Sequence, residues 1–219
     1  AIINGTTEIC MASRPMKDKE KQQLREKRGK DATEFSVALD GIAVFVHDSN
    51  PVQEASLEEL KGVYTGRTTA WWGGKSDPLV AYGRENNSGT YMYFKEHVLG
   101  EEDFAEKVQT LPGTAAVINA VSKDKNGIGY GGIGYLKGVK ALKVKKDAAT
   151  PAMEPSMENV VAGAYPISRS LYFYTGGAPN GAVKEFIDWC TSAEGQKICE
   201  SVGYYPIPKE NQSPAPGRK

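Results

Sequence analysis

The stretch LVAYGRENNSGTYMYFKEHV, residues 79–98, decides how we interpret this chain. Its apolar beginning predicts a short strand. Its end carries Tyr91, Phe94 and Val98 at i, i+3 and i+7 spacing, which predicts an amphipathic helix. The polar turn RENNSGT, which starts at Arg84, connects the two. A strand that runs through a polar turn into a helix is typical of α/β proteins.

The residue types in this turn suit a tetrahedral oxyanion. A helix N-terminus presents unpaired backbone N–H groups and the positive end of the helix dipole. Gly89 and the small hydroxyl residues Ser88 and Thr90 let an oxyanion approach those groups closely. Arg84 adds a planar guanidinium that can bind two oxygens at once. Spacing alone leaves an alternative open, in which Ser88 or Thr90 only caps the helix and Arg84 pairs with a surface carboxylate.

Strands and helices alternate through the rest of the chain, which predicts the α/β class. The run FSVALDGIAVFVH, residues 35–47, predicts a long buried strand interrupted at Asp40-Gly41, either by a hinge or by a bulge with one satisfied carboxylate. The segment DFAEKVQTL, residues 103–111, predicts a helix. Capping boxes that start at Ser56 and at Thr191 predict two further helix starts.

The last part of the chain predicts two helices and a polar tail. Residues 182–190 have the spacing of a helix that buries Phe186, and the helix after it is expected to bury Ile198 and Val202. The tail after residue 208, KENQSPAPGRK, is poor in apolar residues, so we expect it to be disordered.

Composition excludes several classes of function. The 27 Lys and Arg residues balance 27 Asp and Glu residues, so we expect no nucleic-acid partner. No apolar run approaches the ~18–20 residues of a membrane-spanning helix, and we recognise no targeting segment. Neither the two histidines nor the three cysteines have metal-ligand spacing, so we expect no metal and no cofactor. The disulfide state of the cysteines stays open; they are Cys10, Cys190 and Cys199.

Several segments together resemble the periplasmic phosphate-binding proteins of ABC phosphate importers. They occur in family order and cover nearly the whole chain, and the most specific is the Arg-x-x-x-Ser-Gly-Thr turn followed by an aromatic residue. The segments are NGTTEICMASRPMKDKE, ALDGIAVFVHDSNPV, SLEELKGVYTGRTTAWW, RENNSGTYMYF, NGIGY, AYPISRSLYFYT and KEFIDWCTSAEGQKICESVGYYPIP.

The resemblance implies a two-lobed fold of the type II periplasmic-binding-protein kind, with inorganic phosphate bound in the cleft. It also implies an ABC permease as partner and a periplasmic or extracytoplasmic location. Contact with the membrane would occur only through the permease or a lipid anchor.

In the second lobe, the family's phosphate ligands correspond to Arg84, Ser88, Gly89 and Thr90. Asn86 stands where relatives often have an Asp that orients the arginine, and an Asn would do this without charge. We therefore expect Asn86 to support Arg84.

In the first lobe, Ser13 and Arg14 match the family's Ser-Arg motif. Some relatives have an Asp at the position of Arg14, where it accepts the proton of hydrogen phosphate. We expect residues 1–42 and 171–219 to form this lobe and residues 43–170 to form the second. The family's strand, Thr-containing loop, helix and Gly-Ser-Gly loop before this point are not in the sequence, so the first lobe is expected to be incomplete.

The resulting hypothesis is a phosphate carrier that performs no chemical step and is not an enzyme. A second hypothesis is a phosphoryl-transfer enzyme of the phosphatase kind with Ser88 as nucleophile. That hypothesis needs a general base, and the two candidates, His47 and His97, lie in the predicted strand and on the helix after the turn. A third hypothesis keeps the fold but not the binding, in a truncated remnant of the family.

Overall fold

The computed structural model describes residues 1–72 and 77–213. The chain divides into two compact units. The first contains Ala1–Asp40 and the chain from Arg169 onward, and the second contains Gly41–Ser168. The long strand β2, Ala32–Val46, begins in the first unit and ends in the second.

Helices and strands alternate along the described residues, which confirms the α/β class. The helices are α1 (Asp18–Arg28), α2 (Leu57–Tyr64), α3 (Gly89–His97), α4 (Thr114–Val121), α5 (Met157–Val161), α6 (Gly181–Thr191) and α7 (Ala193–Ser201). The other strands are β1 (Cys10–Ala12), β3 (Glu54–Ser56), β4 (Val80–Arg84), β5 (Gln109–Leu111), β6 (Gly127–Gly132), β7 (Lys140–Ala141), β8 (Lys143–Lys145) and β9 (Ser168–Gly176). Among the described residues, no helix combines the length and the apolar character that crossing a membrane requires.

In the first unit, β1 pairs antiparallel with β9. The alternation of side chains along β9 turns Tyr174 toward a small core that also contains Ile2, Met16 and Leu24. The Tyr174 hydroxyl accepts a hydrogen bond of 2.8 Å from the backbone N–H of Met16. Helix α1 supplies Leu24 to this core and is otherwise polar, as expected for a surface helix that ends at Gly29 in the left-handed conformation.

In the second unit, β4 lies between β5 and β6 and is parallel to both. Strand β6 pairs antiparallel with the end of β2, where Ile42–Val46 are completely buried. Helix α4 covers this sheet and packs Val117 and Val121 against Phe45. The continuous apolar run of β2 is what a strand covered on both faces requires.

The capping box at Ser56 is confirmed. The Ser56 Oγ accepts from the Glu59 N–H at 3.2 Å, and the Glu59 carboxylate accepts from the Ser56 N–H at 2.7 Å. Both bonds satisfy amides that the start of α2 would leave open.

The predicted helix over residues 103–111 is wrong. Its last three residues form β5, because Gln109–Leu111 pair in parallel with the end of β4. Before them the Ala105 N–H donates to the carbonyl of Tyr64 at 2.8 Å. The Phe104 ring stacks on Tyr91, with ring centroids 4.5 Å apart. The backbone of residues 109–111 therefore pairs with β4, and the Phe104 side chain packs outside any helix. Contacts with other segments override the helical spacing here.

The helix start predicted at Thr191 is shifted by one residue. The Ser192 Oγ caps α7 by accepting from the Gly195 N–H at 3.3 Å. The Thr191 hydroxyl instead donates to the carbonyl of Ile187 at 2.9 Å, inside α6. Thr191 is the last residue of α6, so it cannot also provide the extended backbone of an N-cap.

The expected burial of three apolar residues on these helices is also wrong. Phe186, Ile198 and Val202 are 47%, 47% and 62% exposed. The tail prediction fails for its first residues, since Lys209–Asn211 form a 3-10 turn and the Ser213 N–H donates to the carbonyl of Thr191. The rest of the tail lies outside the described residues.

The interruption expected at Asp40-Gly41 is a satisfied carboxylate in an unbroken strand. The Asp40 Oδ2 accepts from the Arg169 Nη2 at 2.7 Å and from its Nε at 3.1 Å. Both side chains are almost fully buried, with 7% and 8% exposure. A charge buried to this degree must be paired, so an ionised Asp40 at this position requires the Arg169 guanidinium beside it.

We predict that Asp40→Asn destabilises the chain by about 3–5 kcal/mol, because it removes the buried carboxylate that balances the Arg169 guanidinium. Urea unfolding at pH 7 measures the loss. The control is Asp31→Asn, which breaks the exposed Arg25–Asp31 pair and should cost about 0–1 kcal/mol. Equal stability of Asp40→Asn and the unmodified chain would show that the pair does not stabilise the fold.

Candidate functional site

The turn between β4 and α3 is built around Ser88. The Ser88 N–H donates to the carbonyl of Glu85 at 3.0 Å, which closes the turn. The Ser88 Oγ accepts from the N–H groups of Thr90 and Tyr91 at 3.2 and 3.4 Å, and the residue is 8% exposed. Ser88 is therefore the N-cap of α3, which is the capping role that the sequence left open.

Capping does not use up the Ser88 hydroxyl. Both amides donate to its oxygen, so these two bonds leave its own proton for a further acceptor. Gly89 and Thr90 begin the helix, with Gly89 exposed. The N-terminus of α3 thus presents a hydroxyl donor together with the positive end of the helix dipole.

Arg84, the last residue of β4, is held at one end of its guanidinium. Its Nη1 donates to the Thr114 Oγ1 at 2.9 Å, and its backbone N–H donates to the Tyr130 hydroxyl at 3.4 Å. Its Nε is buried and has no hydrogen-bond partner within residues 1–72 and 77–213. A buried donor without an acceptor costs about 1–3 kcal/mol of stability, and an acceptor that bonds to this nitrogen would remove that cost.

Two helix N-termini lie at the same edge of the sheet as Arg84. Strands β4 and β5 are parallel, with Arg84 opposite Leu111, and each strand leads into a helix within a few residues. Helix α4 starts at Thr114 after Gly113, an N-cap that has no side chain to bond its amides. The carboxyl ends of parallel strands are where open α/β sheets bind ligands, and here positive helix ends and an arginine coincide.

The support of Arg84 differs from the sequence expectation. Asn86 is exposed in the turn and makes no hydrogen bond to Arg84 in the part of the chain that the structure describes. Thr114 makes that bond, and sequence reasoning missed it because the helix assigned to residues 103–111 hid β5. The signal that could have found Thr114 is the Pro-Gly-Thr sequence directly before the apolar run of α4.

An aromatic cluster of Tyr64, Phe94 and Tyr130 contacts Arg84 through the Tyr130 hydroxyl. The Tyr130 ring stacks on Phe94, with centroids 4.0 Å apart, and meets Tyr64 edge to face at 5.3 Å. Burial raises the pKa of Tyr130 and of Tyr64, so both phenols stay neutral. The Tyr130 hydroxyl can therefore accept from Arg84 without adding charge to the site.

The candidates in the first unit lie directly after β1. Ser13 is half-buried. The two terminal nitrogens of Arg14 donate to the two carboxylate oxygens of Glu20, each at 2.8 Å, and Nη1 also donates to the carbonyl of Pro15 at 2.9 Å. The hydrogen bond from Arg14 lowers the pKa of Glu20 from its usual value of 4.5 to about 2. The Arg14 guanidinium is therefore already paired with a carboxylate.

The described residues contain no group of three or more His, Cys, Asp or Glu side chains that could hold a metal ion. The three cysteines are free thiols, and burial raises the pKa of Cys190 and Cys199.

Both histidines lie away from Ser88 within the second unit. His97 is the last residue of α3 and stacks on Tyr93. At 1.5 Å per residue this places it about 13 to 14 Å along the helix from Ser88. His47 follows β2, whose last residue pairs with Ile128 near the start of β6. It therefore lies at the sheet edge opposite to that of Arg84.

Comparison with known proteins agrees with this fold. A family model described as a PBP superfamily domain matches residues 1–194. The phosphate-binding protein PstS of Pseudomonas aeruginosa is 35% identical over 95% of this chain and 70% of its own length.

Two solved structures show the same likeness. One is a Clostridium perfringens protein assigned as a phosphate ABC transporter substrate-binding protein and solved with bound phosphate. It has 33% identity and a TM-score of 0.77, over 94% of this chain and 82% of its own. The other is an ABC-type phosphate transport receptor from Vibrio cholerae, with 26% identity, a TM-score of 0.79 and the same coverage. The chain therefore belongs to the PBP superfamily and, within it, to the family of the PstS phosphate-binding proteins.

We predict that Glu20→Gln lowers the free energy of unfolding at pH 7. The folded pKa lies below its usual value, so the carboxylate stabilises the fold above about pH 4.5 and loses this effect as the pH falls toward 2. Denaturant unfolding from pH 7 to pH 2 should show the variant and the unmodified chain converging over that range. Glu26→Gln, at an exposed position of α1, is the control. Parallel curves for Glu20→Gln and the unmodified chain would contradict the prediction.

Proposed function

We propose that this chain is the phosphate-binding component of an ABC phosphate transporter. It binds inorganic phosphate and releases it unchanged. The observation that carries the proposal is Arg84, whose guanidinium is fixed by Thr114 while its buried Nε has no acceptor among the described residues. Membership of the PstS family supports the same ligand.

The second unit offers what phosphate needs when it leaves water. A desolvated oxyanion must replace its lost water contacts with donors of suitable charge. Arg84 offers a charged planar donor group, Ser88 offers a hydroxyl proton, and the N-termini of α3 and α4 offer positive dipole ends. These donors sit on a rigid sheet edge and on helices, so little ordering is required on binding.

We propose a smaller contribution from Ser13 and Arg14. The Glu20 carboxylate occupies both terminal nitrogens of Arg14 and balances its charge. An anion at Arg14 would have to share the guanidinium with Glu20 or displace it. We therefore propose Ser13 and Arg14 as weaker phosphate ligands than Arg84.

The phosphoryl-transfer hypothesis requires a base for Ser88. His97 stands at the far end of α3, and His47 lies at the opposite edge of the sheet. Nucleophilic catalysis needs the base within hydrogen-bond reach of the hydroxyl. We therefore propose that the protein is not an enzyme, and an assay with a phosphomonoester tests this by showing no turnover above the uncatalysed rate.

The transport role implies a partner and a place. We propose that the chain acts outside the cytoplasm, where it delivers phosphate to the permease of the importer. The Vibrio cholerae neighbour, an ABC-type phosphate transport receptor, supports this assignment.

The first test is calorimetric titration with inorganic phosphate. Arg84→Ala should weaken binding by about 1.5–3 kcal/mol, as expected for a hydrogen bond between charged groups. Arg67→Ala is the matched control, since Arg67 lies in the same unit, is half exposed and pairs with Glu102. It should leave the affinity unchanged. Absence of binding by the unmodified chain would favour the non-binding remnant instead.

The second test concerns pH and sulfate. None of the proposed ligands is a carboxylate that could accept the proton of hydrogen phosphate, so the site should prefer the dianion. Affinity should rise as the pH passes the second pKa of inorganic phosphate, which at about 7 lies above the value of about 6 for phosphate monoesters. Sulfate, a dianion of similar shape, should compete in calorimetry at pH 6 and at pH 8. Strong rejection of sulfate would show that an acceptor for that proton exists and that the charge argument is wrong.

A further inference from the structure

We infer that Thr114 is the positioning residue of the site, the group that orients Arg84 toward the anion without neutralising its charge. The inference rests on the proposed function and adds a residue that the family's phosphate motif does not include. Its basis is the 2.9 Å hydrogen bond from the Arg84 Nη1 to the Thr114 Oγ1.

The Thr114 side chain is itself held in place. The residue is 8% exposed and packs against Gly131 of β6. A Cβ at Gly131 would lie 2.3 Å from the Thr114 Cγ2 and 3.2 Å from its Oγ1. The side chain of Thr114 thus fills the space that a larger residue at 131 would need. Its hydroxyl has a fixed position, as a positioning group requires.

The chemistry of the hydroxyl differs from that of a carboxylate. A threonine oxygen accepts a hydrogen bond but carries no charge. In the part of the chain that the structure describes, no carboxylate pairs with Arg84, whereas Glu20 takes both terminal nitrogens of Arg14. Thr114 therefore fixes the direction of the Arg84 guanidinium and leaves its positive charge for the anion.

Asn86 does not have this role in the structure. It is exposed in the turn, and its side chain makes no bond to Arg84 within the described residues. The two assignments are separable by mutation because Asn86 lies before α3 and Thr114 begins α4.

The experiment is calorimetric titration of the chain with inorganic phosphate, with three variants. Thr114→Val keeps the shape and removes the acceptor, and it should weaken binding about 10- to 100-fold. Thr114→Ser keeps the hydroxyl, and Asn86→Ala tests the alternative support. Both should stay within about threefold of the unmodified chain. Thermal unfolding of each variant confirms that it is folded, and Thr114→Ala replaces Thr114→Val if the latter does not fold.

The outcomes separate this inference from the proposed function. An unmodified chain that binds no phosphate overturns the proposed function, and the inference falls with it. Phosphate binding that Thr114→Val leaves unchanged overturns the inference alone. Equal losses in Thr114→Val and Thr114→Ser would show a packing role instead of a positioning role, and a comparable loss in Asn86→Ala would assign the support to Asn86. Weaker phosphate binding by Thr114→Val, together with near-normal binding by Thr114→Ser, supports the inference that Thr114 positions Arg84.

Discussion

The parallel pairing of β4 with both of its neighbours is the constraint on which the site depends. Parallel neighbours need crossover connections, and here α3 leads from β4 to β5 and α4 leads from β5 to β6. Both helices therefore start at the carboxyl edge of the sheet, where β4 ends with Arg84. If β4 and β5 were antiparallel, the start of α4 would lie at the other edge, and Thr114 could not reach Arg84.

The parts of this arrangement that are local could be predicted from the sequence. The strand, the polar turn and α3 follow from residues that are neighbours along the chain, and so does the capping role open to Ser88. The part that was missed is non-local. Residues 103–111 have helical spacing, but Gln109–Leu111 pair with β4, and Phe104 packs on Tyr64, Tyr91 and Tyr130. Because β5 was not predicted, the contact between Thr114 and Arg84 was not predicted either.

Helices α6 and α7 show that helical spacing predicts a helix but not the burial of its apolar face. Their apolar spacing correctly predicted helices, yet it could not show what lies against each apolar face. Phe186 stacks on Phe173 with centroids 6.0 Å apart and still remains 47% exposed, while Ile198 and Val202 face solvent. Helical spacing determines which residues share a face. Whether that face is buried depends on residues elsewhere in the chain.

Arg14 and Arg84 show that residue type alone does not define an anion site. Each was a candidate because a guanidinium binds oxyanions well. Arg14 meets a carboxylate on the nearby helix α1 and forms a closed ion pair with it. Arg84 meets a neutral hydroxyl brought beside it by strand pairing, so it is oriented while its charge stays uncompensated within the described residues. The sequence shows two equivalent arginines, and the fold pairs one of them with a carboxylate and the other with a neutral hydroxyl.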